Sequence, residues 1–557
     1  MGAGVPIAPR LRGRSQASAA FKGRTLKRIR RSSDSRPQVE RGGLDRMKLP
    51  RLAAATLCAV LAGSGCGDDD ATAARPGSGI RDRLLPTTEV MQEWIAEIVA
   101  QGIRRPGYPA DQWAESWIRD RFVEFGLQDV TLDPIDVERW EPRNWSLTVW
   151  HEETPDRTER IPCYPIPFSA AASGLEGALA VSTGNPPQDL TGKIAVFENR
   201  FLALPQTVAR ALATWAHDPD GEFDTLVQLL PFGTRFQRVM EPEIAAGAAG
   251  FVGILRGLPW ETDRYFVPYD AEERPIPGVW LSEANGDRLI EFLRTGAAHA
   301  RIELERELVT TTSHNVMGVL PGASNEWVII GSHHDGPWAS AVEDASGISL
   351  VLAQARYWSQ VPRTERPHNL LFLLNGGHMS GGAGLKHIVE TRREFIERDV
   401  VVEIHLEHAA RAARGEDGRL VATDAPEVRW WFTSFAPPLE QAVADAICAE
   451  NLGRSLMMPV EGFPPGSRNP PTDGAFFHPH TPIVNFLSAP MYLFDEQDTI
   501  DKIHEDSLAP LTRATIRIVN AMHNQTAAGL RQTAYEPPRQ EAIPPCSLHQ
   551  IPADVLD

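Results

Sequence analysis

From Asn315 onward, short unbroken apolar runs alternate with stretches in which apolar residues return every three or four positions. The runs NVMGVLPG, EWVIIGSHHD, HNLLFLLNGG, DVVVEIHLEH and TPIVNFLSAP predict strands. The periodic stretches SGISLVLAQARYWSQ, GLKHIVETRREFIE, PPLEQAVADAICAENLG and SLAPLTRATIRIVNAMHNQ predict helices. Strands apolar on both faces, alternating with helices, imply an α/β class with a mixed, largely parallel sheet flanked by helices. Sites in such sheets form beyond the carboxyl ends of the strands.

Upstream the pattern is less regular. TTEVMQEWIAEIVAQG predicts a helix, and the stretch from Arg104 to Trp140 predicts a turn, a helix stopped by Gly126 and a strand. Between about 152 and 300 the character changes. GALAVS, GKIAVFE and AAGFVGIL are short apolar strands among Pro- and Gly-rich segments, with no acid–histidine cluster, which predicts an inserted β-rich domain. The expected organisation is one discontinuous domain over 86–151 and 301–531, interrupted by the insert at 152–300. A linker fills 67–85 and a Pro-rich tail 532–557.

Charge narrows the partners. A formal net charge of −18 argues against nucleic acid, which needs a basic surface. The first 46 residues oppose this trend, with 12 Lys+Arg against 3 Asp+Glu. The next segment, MKLPRLAAATLCAVLAGSGCGDDD, pairs Lys48 and Arg51 with an apolar run too short to span as an ordinary helix, then small residues and Cys66. It resembles a bacterial lipoprotein signal over 47–66, with Cys66 as the lipidation site and Gly63 where Leu is usual. Translation is then expected to start at Met47, with 1–46 untranslated or disordered. The protein would be exported to the cell envelope, lipid-anchored or periplasmic, touching the membrane only through that anchor. Cys163, Cys448 and Cys546 remain for at most one disulfide.

The chemistry concentrates where predicted strands end. Seven of the 16 histidines fall between 333 and 408. IIGSHHD, LLNGGH and EIHLEH load three successive strand ends with His333 and Asp335, with His378, and with His405, Glu407 and His408. Side chains alternate along a strand, so His333 pairs in direction with Asp335, and His405 with Glu407. One shared pocket is the expectation, and metal binding its natural chemistry.

These residues fall in motifs that resemble the co-catalytic zinc aminopeptidases and glutamate carboxypeptidases, a family that includes glutaminyl cyclases, transferrin receptor and nicastrin. The family's N-V-x-G-x-x-P-G is matched from Asn315 to Gly322, and its G-x-H-x-D by Gly331, His333 and Asp335. Its D-[ND]-x-S-G reads here Glu343, Asp344, Ala345, Ser346, Gly347, and its D-T-x-x-K-I is matched by Asp498, Thr499, Lys502 and Ile503. The resemblance implies a zinc-exopeptidase-like fold. It also implies that the insert is a protease-associated domain, with LTGKIAVFENR and AAGAAGFVGIL as its pieces.

Carried over residue by residue, the resemblance places metal ligands at His333, Glu343 and Glu407. Asp335 orients His333, and His378 stands in the general-base position. The family's second metal would need ligands where this chain has Met379 and Phe494, which do not hold a hard divalent ion among carboxylates. One zinc ion is therefore expected. Trp338, His405, His408, Asp473 and Phe476 would line the substrate pocket, and His478 or His480 could replace a lost ligand. The implied activity is hydrolysis of a peptide or other small amide by an exported one-metal enzyme. The alternatives are an inactive pseudo-peptidase kept as a binding module, and a two-metal aminopeptidase with rearranged ligands.

Overall fold

The computed structural model describes residues 79–184, 188–461, 470–534 and 542–546. The basic start, the signal, Cys66 and most of the linker lie outside the described residues, as does most of the tail.

A parallel group of four strands carries the centre. In spatial order these are Asn369–Asn375, Trp327–His333, Val400–Leu406 and Ile483–Ser488. Antiparallel strands close both sides: Ala298–Leu320 beside Asn369–Asn375, and Arg429–Thr433 beside Ile483–Ser488, followed by Ser455–Pro459. The central strands are apolar on both faces because both faces are covered. Val328 and Ile330 join one core cluster while Ile329 joins another, and Leu370, Phe372 and Leu374 separate likewise from Leu371 and Leu373. The helices Thr88–Val99, Gly347–Gln360 and Glu505–Ala521 pack together over the first face. Leu385, Ile388 and Ile396 of Ala383–Asp399 cover the second. Every strand and helix expected after Asn315 is present. Two short strands, Arg429–Thr433 and Ser455–Pro459, and the hairpin Arg411–Glu416/Arg419–Pro426 were not foreseen.

Two long strands, Gln128–His151 and Ala298–Leu320, pair antiparallel and carry the chain out of this sheet and back. Between them, Ala172–Val181, Ile194–Pro205, Gly250–Arg256 and Gly278–Leu281 pair in parallel, with the helix Glu283–Thr295 against them. Leu147, Val149, Ile194, Val196, Val252, Ile254, Val279, Leu281 and Leu289 give this part its own core. Its strand Trp215–His217 reaches back to pair with Ser455–Pro459. A disulfide joins Cys448 to Cys546, so one short described piece of the tail is tied down, and Cys163 is free. Trp215 Nε1 donates to Pro544 O at 3.2 Å beside it.

Candidate metal centre

Parallel pairing brings the loaded strand ends together. His333 lies in register with Asn375, and Gly331 with His405. A side chain at Gly331 would press on His405, since its Cβ would stand 3.2 Å from Nδ1. The loop after His333 is held from below by Arg104, fully buried, which donates to the carbonyls of His334 at 2.7 Å, Ala339 at 2.6 Å and Ser340 at 2.9 Å. Asp498 accepts from the amides of Val342 at 2.8 Å and Glu343 at 2.9 Å, which fixes where the Glu343 side chain starts. Asp344 accepts from Gly347 N at 3.0 Å and His408 N at 3.2 Å, linking this loop to the end of Val400–Leu406.

Three imidazoles surround the Glu343 carboxylate, and their tautomers can be read from their other nitrogens. His333 Nδ1 lies 2.8 Å from the Asp335 carbonyl, and His408 Nδ1 lies 2.7 Å from the Ser488 carbonyl. A carbonyl only accepts, so both Nδ1 atoms carry hydrogen and, in the neutral rings, both Nε2 atoms are bare. His378 Nδ1 is 2.7 Å from Asp473 Oδ1 in the same sense. His333 Nε2 and His378 Nε2 each stand 3.6 Å from Glu343 Oε1, and the two rings stack 4.0 Å apart. His408 Nε2 lies 2.6 Å from Glu343 Oε2.

His333, Glu343 and His408 form a buried group whose ligand atoms all lie within 4.8 Å of one another. His333 Nε2 has no hydrogen-bond partner, while His408 Nε2 and Glu343 Oε2 face only each other. The 3.6 Å between His333 Nε2 and Glu343 Oε1 is too long for a hydrogen bond but close to the edge of a tetrahedral zinc, roughly 3.3 Å for bonds of about 2.0–2.1 Å, whereas the 2.6 Å between His408 Nε2 and Glu343 Oε2 is a hydrogen-bond distance that would have to open around an ion. Two imidazoles and one carboxylate suit a borderline divalent ion such as zinc. These residues fit the metal.

The site is buried and its ionisation reflects that. Burial opposes protonation of His408, but the Glu343 carboxylate overrides it and lifts the pKa to about 10. Burial likewise opposes a charge on His378, yet Asp473 raises it well above the usual histidine range. Burial, with the neighbouring His378 and His408, drives His333 well below that range. Burial pushes Asp335 and Glu407 up to about 6.

Several expected positions differ. Asp335 does not orient His333 through its carboxylate: its backbone carbonyl does so, and its carboxylate accepts from the amides of His378 at 3.0 Å and Met379 at 2.7 Å. Glu407 groups with His405 and Asp473, and His408 completes the group of His333 and Glu343. Trp338 is packed away rather than lining open space, its indole donating to Phe494 O at 3.1 Å beneath the Arg105 guanidinium. Phe476 is half-buried with its ring against Gly382. His478 and His480 face Glu461 and Glu397 instead of the Glu343 group. Met379 and Phe494 are buried, Phe494 against Phe236, Tyr265 and Tyr269.

Sequence reasoning missed Tyr269, whose ring stacks on His378 at 5.3 Å, and Arg104. Neither sits in a motif. Only the third group of acids and a histidine, Asp111, Glu115 and His334, lies apart from this constellation among the groups found in the described residues.

Residues 315–519 match the family model described as Peptidase family M28. No curated protein matches the chain in sequence. Among solved structures, the chain is similar to an aminopeptidase from Aneurinibacillus sp. strain AM-1, at 20% identity, TM-score 0.55, over 83% of this chain and 98% of that one. A zinc aminopeptidase from Bacillus subtilis is similar at 18% identity, TM-score 0.55, over 78% and 95%. A Peptidase M28 precursor from Shewanella amazonensis SB2B is similar at 16% identity, TM-score 0.56, over 82% and 100%. At these identities the likeness is one of fold. The fold class and the family resemblance read from the sequence are borne out.

Proposed function

We propose, from the Peptidase family M28 match of residues 315–519, that this chain is a metal-dependent hydrolase of peptide or other amide bonds. The observation that carries the proposal is the convergence of three imidazole Nε2 atoms on one buried carboxylate. His333 Nε2 and Glu343 Oε1 are a ligand-edge distance apart at 3.6 Å, and His408 Nε2 completes the group. His333, Glu343 and His408 would hold one ion at this centre. His408 thus takes the part expected of Glu407, while Met379 and Phe494 leave the family's second metal position without ligands. When bound, the ion supplies a water of lowered pKa and a Lewis acid for the carbonyl.

The chain's own residues do the rest. Asp473 holds the His378 Nδ1 proton, so His378 Nε2 faces the centre and takes a proton from the attacking water. It then returns that proton to the leaving amine. Asp335 holds the backbone of His378 and Met379, so it acts by position. Tyr269 covers His378 from the 152–300 region, which we read as a protease-associated insert. The Cys448–Cys546 disulfide suits the oxidising compartment that export would supply. Among the described residues no helix is long and apolar enough to cross a membrane.

Hydrolysis of aminoacyl p-nitroanilides by the zinc-loaded chain tests the reading. Activity is expected to vanish on chelation, to return with zinc, and to be absent in His333→Ala. Hydrolysis that survives chelation refutes it. One observation favours a second reading: His408 Nε2 lies at hydrogen-bond distance from Glu343, so its imidazolium could stand in for the ion in a pseudo-peptidase. That reading predicts no bound zinc.

A further inference from the structure

We infer that His405, Glu407 and Asp473 form a second cation site, distinct from the Glu343 centre. Three groups of acids and histidines among the described residues have ligand atoms within 4.8 Å of one another, and they differ in what they need. In the Asp111–Glu115–His334 group, His334 Nδ1 stands 2.9 Å from Asp111 Oδ1, and one proton on the imidazole fills that gap. No proton fills the His405 group in the same way. His405 Nε2 is 3.4 Å from Glu407 Oε1 and 3.6 Å from Asp473 Oδ2. Both separations exceed the usual N–H···O range of about 2.7–3.2 Å. Both match the ligand–ligand edge of a tetrahedral zinc, roughly 3.3 Å.

The second nitrogen of His405 points the same way. Its Nδ1 is 2.9 Å from Glu403 Oε1, a carboxylate that can only accept, so Nδ1 carries the hydrogen and, in the neutral ring that binds a cation, Nε2 turns its lone pair towards Glu407 and Asp473. A metal-bound histidine is held this way when its far nitrogen donates to a carboxylate. His405 Nε2 and Glu407 Oε1 have no hydrogen-bond partner, although His405 is 0% and Glu407 3% exposed. Buried acceptors left facing one another are costly, and a dication shared between them removes the cost.

Asp473 is already committed on part of its surface. Its Oδ1 accepts from His378 Nδ1 at 2.7 Å and its Oδ2 from Asn375 Nδ2 at 3.2 Å, which leaves Oδ2 a free lone pair. One carboxylate thus fixes the His378 ring with one oxygen and faces His405 with the other. The site uses none of His333, Glu343 and His408. It also uses neither Met379 nor Phe494, so it is not the family's second position refilled. One imidazole and two carboxylates suit zinc or manganese. The inference stands on these distances and not on the proposed hydrolase activity.

Zinc per chain decides it, measured by elemental analysis on the full chain stripped with chelator and dialysed against zinc. Two ions are expected in the unsubstituted chain, one in His405→Gln and one in His408→Gln. A single ion that persists in His405→Gln and is lost in His408→Gln overturns this site and leaves the Glu343 centre standing. A single ion lost in His405→Gln and kept in His408→Gln supports this site and overturns the other. No bound zinc overturns both. Cobalt titration of the unsubstituted chain gives the same count where a variant does not fold: two saturating absorbance steps are expected, and one step or none refutes the presence of both sites together.

Discussion

Replacing His378 with glutamine removes the proposed proton acceptor while leaving the space and a hydrogen-bond donor in place. The imidazole is clamped between Tyr269 at 5.3 Å and His333 at 4.0 Å, and its Nδ1 lies 2.7 Å from a buried Asp473. A glutamine amide can still donate to that carboxylate, so Asp473 is not left as an unpaired buried charge, which would cost about 1–3 kcal/mol or more. The variant should therefore fold, and its zinc content should match that of the unsubstituted chain. The loss belongs in kcat. A positioned general base contributes roughly 10²–10⁴-fold, or about 3–5 kcal/mol of barrier. The pH profile carries the sharper sign. Burial resists the charge on His378, but Asp473 overrides it, so the pKa lies above the usual histidine value. A base must be unprotonated to act, so kcat in the unsubstituted enzyme falls as pH drops through the His378 pKa, which Asp473 raises and a bound dication lowers. In His378→Gln that limb should disappear. The assay is kcat against pH on an aminoacyl p-nitroanilide with zinc loading checked on the same samples. A variant that keeps its rate within about threefold and the same acid limb refutes the assignment.

Other outcomes follow from the packing and the charges. Phe494→Ala should cost about 3–5 kcal/mol in urea unfolding, because the ring is 3% exposed among Phe236, Tyr265 and Tyr269. Cys448→Ser opens a link spanning 98 residues, and should lower stability by about 2–5 kcal/mol, an effect that reductant reproduces on the unsubstituted chain and not on the variant. Burial raises Asp495 to about 7, so the folded chain holds a proton there that the unfolded chain releases. That contribution is present at low pH and is lost as pH rises from about 4 to 7. Asp495→Asn, which keeps an acceptor for Thr262, should flatten this slope and gain up to about 4 kcal/mol above pH 7 in chemical denaturation.

Much of the fold was legible because its signals are local. An apolar run with both faces buried, or an amphipathic helix, shows its period within a dozen residues, and the strands and helices after Asn315 have such periods. The strands Arg429–Thr433 and Ser455–Pro459 escaped notice because they are five residues each, too short to establish a rhythm. Alternation along Val400–Leu406, carried one residue further, put His405 and Glu407 on one side, where their atoms lie 3.4 Å apart. It said nothing about His408, where the backbone leaves the extended conformation. His408 adopts φ +56°, a region unfavourable for a residue with a side chain, and its imidazole meets Glu343.

Sequence by itself therefore determined the layer order, the strand ends that gather acids and histidines and the types of side chain found there. Those depend on spacing along one chain segment. Only the tertiary structure decided which imidazole joins which carboxylate, that the Asp335 backbone rather than its side chain steadies His333, and that Tyr269 lies over His378. The first and last are contacts between segments tens to more than a hundred residues apart, and the second is a turn two residues long at a strand end, so all three are fixed by strand register and by where the chain turns on leaving the sheet. A linear pattern contains neither quantity.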